Sequence, residues 1–216
     1  VLLTGNNATL TDVNELELGN SNISGNLVVN AGGTVSQTGA LTVTGTTTAN
    51  AGANDINLNN TSNNFTGAVL LTGNNATLTD ANELELGNFN ISGNLVVNAG
   101  GTVSQTGGGV LAVTGTTTVS AKSSDDSTKY NINLNSSVNQ LAGAINATGA
   151  NLNIMNAGAA GTSLNALSAT GDVLVRSTAG LSIVNGGAVT STGGDVFLSA
   201  DGNFINNGGS SAVSAG

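Results

Sequence analysis

The residues able to trade protons or hold a metal are few in this chain, and nearly all are carboxylates. Twelve Asp and Glu stand against three basic residues, Lys122, Lys129 and Arg176, with no His and no Cys. A Ser-His-Asp or Cys-His nucleophilic set cannot be assembled from them. What remains is the chemistry of clustered carboxylates beside a cation, as polysaccharide lyases and hydrolases use it. Asp172, Asp195 and Asp201 with Arg176 form the one grouping of that kind, yet the spacing of Asp172 and Asp195 equally suits two turn residues in register on neighbouring repeats. The turn reading is adopted, and the chain is read as non-catalytic, with no catalytic, cofactor-binding or metal-binding residue assigned.

Other motifs carry less. Glu15, Glu17, Glu83 and Glu85 make two E-L-E triplets whose carboxylates share one strand face and serve as solvated surface. Ca²⁺ wants six to eight oxygens, and the G-G-x-G-x-D calcium repeat is absent. Thr-x-Thr elements such as Thr9–Thr11 and Thr77–Thr79 would build an ice-binding face only if each coil placed one on the same side, and their spacing does not follow the repeat. Asn-x-Ser/Thr sequons occur about as often as this Asn-, Ser- and Thr-rich composition produces by chance.

The formal charge of −9 leaves no basic patch to neutralise phosphates, so nucleic acid and acidic lipid surfaces are excluded as partners. Apolar runs span only a few residues, and neither a signal peptide nor a membrane-inserting segment is expected.

The elements that position these groups follow from composition and period. Only 7% of residues are charged and 2% aromatic, with no Pro and no Trp. The core must then be small aliphatics repeated in thin layers. Bursts such as Leu27-Val28-Val29, Leu41-Thr42-Val43 and Val173-Leu174-Val175 read as strands, not as a disordered low-complexity chain. Residues 1–38 recur at 69–106 with only Val13/Ala81 and Ser21/Phe89 differing, and the match continues with insertions to residue 144. Beyond it, Gly149, Gly171 and Gly194 mark a period of 22 and 23, three of which approximate one 68-residue unit.

That period without helix signals predicts one continuous right-handed parallel β-helix over residues 1–216, with units at 1–68 and 69–144 and shorter coils over 145–216. Absence of Pro agrees, because each rung must donate an N–H to the next. Leu27, Val29, Leu41, Val43, Leu95, Val97, Leu174 and Phe197 are expected to face inward. Asn30, Asn98, Asn156, Asn185, Asn206 and Asn207 are expected at bends. The segment Lys122–Tyr130 has no counterpart in the first unit and is expected to project as a contact loop carrying Lys122, Asp125, Asp126, Lys129 and Tyr130.

The string from Gly193 to Gly216, G-G-D-V-F-L-S-A-D-G-N-F-I-N-N-G-G-S-S-A-V-S-A-G, resembles the repeats of filamentous-haemagglutinin-like large exoproteins. So does N-L-V-V-N-A-G-G-T-V-S-Q-T-G from Asn26. The resemblance implies two-partner secretion, a bacterial cell-surface or secreted location and an adhesive role. The family's secretion domain carries Asn-Pro motifs, so this proline-free chain resembles the shaft. The implied partners are host or surface glycans and proteins, or other copies joined end to end. A segment of a self-assembling extracellular filament is the alternative to an adhesin shaft.

Overall fold

The computed structural model describes residues 1–216 and contains 27 strands and no helix. The strands are short and their side chains alternate in and out, as in Leu41–Val43 and Ile132–Leu134. They pair in parallel, each with the strand one coil above and below, in sheets of four, twelve and eleven strands. The result is a three-sided β-solenoid of about 11 turns with coils of roughly 20 residues. At about 4.8 Å per coil the rod is roughly 50 Å long.

The coil and the sequence repeat are not commensurate. Ala8, Leu27, Thr47 and Val69 stack in register on one side, so three coils carry the chain from residue 8 to residue 69. Ala76, the copy of Ala8, lies one strand further on. Strand Ala8–Asp12 belongs to the twelve-stranded sheet, whereas its copy Ala76–Asp80 belongs to the eleven-stranded one. Leu16–Leu18 lies in the eleven-stranded sheet, and its copy Leu84–Leu86 leaves that sheet to form the first part of the long strand Leu84–Ile91, in register with Val103–Gln105. Ser21–Ile23 lies in the four-stranded sheet, while its copy Phe89–Ile91 stacks on Leu71–Gly73. One 68-residue unit is therefore three coils plus one side, not three coils, and successive units are turned by a third of a revolution. Equivalent features, the two E-L-E triplets among them, consequently face different directions.

A single cluster of 45 buried apolar residues fills the interior. Leu27, Val29, Leu41, Val43, Leu95 and Val97 are all inside it, as expected. Leu174 and Phe197 are not. They stand on the outer side at 43% and 58% exposure, with Val173 and Val175 buried on either side of Leu174. The preceding corner sets this phase. Asp172 N donates to Asn151 Oδ1 at 2.8 Å, and Val173 becomes the first inward residue.

Two polar brackets interrupt the aliphatic stack, once per unit. Asn63 Oδ1 accepts from Leu41 N and Gln37 Nε2 at 2.9 and 2.8 Å, and its Nδ2 donates to Gln37 Oε1 at 2.9 Å. Asn139 repeats the arrangement on Leu111 N and Gln105. Both Asn are fully buried, so each amide must be saturated by such partners. The inward hydroxyls of Thr47 and Thr117, also equivalent, have no partner.

The bends are closed by side-chain ladders that climb the corner. Asn7 Oδ1 accepts from Asn26 N, and Asn26 Oδ1 from Thr46 N. Asp55, Asn75 and Asn94 form a second such column. Of the Asn expected at bends, Asn185 precedes Gly186 at φ 74° and Asn206 caps Gly208 N, while Asn156 is a buried cap. Asn30 and Asn98 instead lie within strands, in outward columns with Thr11 and Thr79. Asn207 only donates its backbone N–H to Ile183 O. Composition marks the residue type of a bend, but strand phase decides which Asn reaches it.

Candidate functional site

The one segment that leaves the coil path lies where the two units differ most. Lys122 and Lys129 form an isolated antiparallel bridge, the only antiparallel pairing in the structure, and residues between them make a small hairpin. Ser123 N donates to Thr128 O and Thr128 N to Ser123 Oγ, both at 2.9 Å. Asp126 occupies the left-handed region at φ 63° to turn the tip. Asp125 Oδ1 accepts from Ser123 Oγ, Ser127 Oγ and Ser127 N at 2.6, 2.8 and 3.1 Å. Those hydrogen bonds, from Ser123 first, hold its pKa at about 2.

Asp126 binds both lysines, Lys122 at 3.1 Å and Lys129 more closely. The Lys129 hydrogen bond is the main cause of its lowered pKa. The charges of the hairpin are thus paired among themselves. Its limits are narrower than 122–130, because both ends belong to the coil. Lys122 N donates to Ala99 O, Tyr130 N to Ala121 O, and Tyr130 O accepts from Ala150 N. Tyr130 is half-buried against the core and is not at the tip.

Beside the hairpin lies a groove of about 420 Å³. Thr79, Asn98 and Ser120, outward residues in register on three successive coils, line it with Thr61 and Ser123. A Cβ at Gly100 would lie 2.1 Å from Ala81 O, so glycine lets the corners of these two successive coils stack closely at the floor of the groove. The resulting saddle offers hydroxyls and amides a coil step apart, with its one cation already paired to Asp126.

Asp80 closes the strand under the saddle and is 2% exposed. Its Oδ2 accepts from Phe65 N at 2.7 Å and its Oδ1 from Asn82 N at 2.8 Å. Burial, opposed by these two bonds, raises its pKa. In the following unit Asn156 makes the equivalent caps to Leu141 N and Gly158 N. Its Nδ2 also donates to Leu141 O at 2.9 Å. An amide therefore suits this position. Because the folded state holds the Asp80 proton more tightly than the unfolded chain, this residue's contribution to stability is lost as pH rises through its raised pKa. Asp80→Asn should stabilise the rod by about 1 kcal/mol at pH 7, with the gain shrinking toward pH 3.5. Thermal melts of both proteins at the two pH values check this; an equal or negative effect at pH 7 contradicts it.

Of the candidate carboxylates, Asp172 and Asp195 come together as turn residues in register. Asp195 N donates to Asp172 Oδ1 at 2.9 Å, making them successive rungs of a corner ladder. Arg176 has no ion-pair partner, and no three Asp or Glu side chains gather as a metal set. No residue pattern in the sequence marks the saddle or the polar brackets. Gln37/Gln105 and Asn63/Asn139 are matched between units, but amide residues abound on this chain, and their inward phase gave no separate signal.

The family described as repeats of unknown function (DUF5649) matches residues 5–72 and 73–148, in two consecutive units. No curated protein and no solved structure matches the chain.

Proposed function

We propose that this chain, which belongs to the DUF5649 family of repeats of unknown function, is a non-catalytic shaft of a secreted or cell-surface bacterial adhesin. The observation that carries the reading is a parallel ladder broken outward by one charged hairpin beside a polar saddle. A stiff rod of this kind extends a contact site away from a surface, and its small side chains leave room for little else. The resemblance of its repeats to filamentous-haemagglutinin-like exoproteins supports the adhesive role and the exported location. Glycans and host proteins are the ligands that hydroxyl and amide rows suit.

The test exchanges residues 123–128 for two glycines. The ladder bonds of Lys122 and Tyr130 lie outside the exchange, so the melting temperature should fall by no more than a few degrees, since a surface loop adds little to stability. Adhesion of chain-coated beads to host cells should drop to the level of uncoated beads. Undiminished adhesion by a folded variant would remove the hairpin from the contact site; cleavage of a polysaccharide by the intact chain would overturn the non-catalytic reading.

A further inference from the structure

Leu174 and Phe197 occupy the same outward position on successive coils of the twelve-stranded sheet. They are the apolar centre of a block with two charged edges. Two residues before them lie Asp172 and Asp195, both exposed, and two residues after them Arg176 and Ser199. Met155, half-buried, stacks on Arg176 from the coil below. Successive outward positions are roughly 7 Å apart along a strand, so the acidic pair, the apolar pair and the single guanidinium lie side by side across the sheet. Arg176 is the one Arg of the chain and has no ion-pair partner.

Such a block is complementary to itself in only one orientation. A two-fold axis parallel to the rod lays the acidic edge of one copy on the edge that carries Arg176 in the other, at equal height. Asp172 then meets Arg176 of the second copy twice over, Leu174 meets Leu174, and Phe197 meets Phe197. An axis across the rod would lay acidic edge on acidic edge. We infer that this patch is a lateral docking surface for a second copy of the chain, the two rods lying side by side and parallel. The apolar block is small, so the pairing is weak and its orientation is set by charge. This pairing is distinct from end-to-end association, and it does not depend on the adhesive role.

The chain has no Cys, so a single introduced thiol reports the contact cleanly. Leu174→Cys should oxidise to a covalent dimer far faster than Thr118→Cys, which stands outward on the eleven-stranded sheet. In sedimentation equilibrium, Arg176→Asp should weaken dimerisation by about tenfold or more, and Arg176→Lys should keep it within about threefold of wild type. Circular dichroism confirms that each variant is folded. Equal oxidation at the two positions, a wild type that stays monomeric at millimolar concentration, or association indifferent to Arg176→Asp would each overturn the proposal.

Discussion

Replacing Asn139 by Ala is expected to destabilise the rod by about 3–5 kcal/mol, a large effect for one uncharged surface-type residue. The loss comes from what the amide leaves behind. Leu111 N, bonded to Asn139 Oδ1 at 3.0 Å, would be a buried donor with no acceptor. Leu134 O and Met155 O would lose the Nδ2 donor at 3.1 and 3.2 Å, and Gln105 would lose its two bonds to this amide, keeping those with Gly109 O and Ser136 N. Each orphaned buried group costs about 1–3 kcal/mol, and Asn139 is itself 0% exposed. Asn63→Ala should behave alike, because it serves Leu41 N and Gln37 in the same way. Asn133→Ala, outward on a strand, should cost less than about 0.5 kcal/mol. Chemical denaturation of the three variants checks the ranking; a mild Asn139→Ala would mean that the bracket is not a unit of the core.

Val97→Asp should have the largest effect of any substitution considered. Val97 is 0% exposed and lies in register between Leu78 and Val119, so a carboxylate there is enclosed by aliphatic layers with no cation near it. Burying it costs several kcal/mol even after its pKa rises, and in a solenoid that lesion severs the contact between neighbouring coils. We expect no cooperative transition from the full rod. Val96→Asp, the next residue but outward and half-buried, should remain folded with a loss of about 1 kcal/mol or less. Equal damage at both positions, seen by circular dichroism and protease sensitivity, would contradict the inward and outward assignment.

Much of this architecture is legible in the sequence, and the parts that are not share a cause. Alternation at Leu27-Val28-Val29-Asn30 fixes the inward phase because a polar residue ends the run. Val173-Leu174-Val175 stands between Asp172 and Arg176, and Val196-Phe197-Leu198 between Asp195 and Ser199, so the same rule places Leu174 and Phe197 outward with their polar flanks; it is the apolar side chains themselves that mislead, because a large hydrophobe on an outward position looks like core. The converse mismatch of residue type and position hides Asn63 and Asn139, buried amides in a chain full of outward amides. The 68-residue duplication is plain, but similarity alone gives no angle. Only the pairing of Ala8 through Leu27 and Thr47 to Val69 reveals the extra side. The hairpin was legible as an insertion, although its ends and Tyr130 proved to belong to the coil.

The turn of one side per unit is the claim on which the placement of every surface feature depends. Double spin labels measure it directly. Thr9 and Leu70 stand in the same outward column, joined through Val28 and Thr48, whereas Thr77, the copy of Thr9, stands on the eleven-stranded sheet. Labels at Thr9→Cys and Leu70→Cys should give a backbone separation near three coil steps, about 14 Å, and those at Thr9→Cys and Thr77→Cys a longer one. The reverse order, with the Thr9–Thr77 pair the shorter, would mean that each unit closes on whole coils and would contradict the fold described.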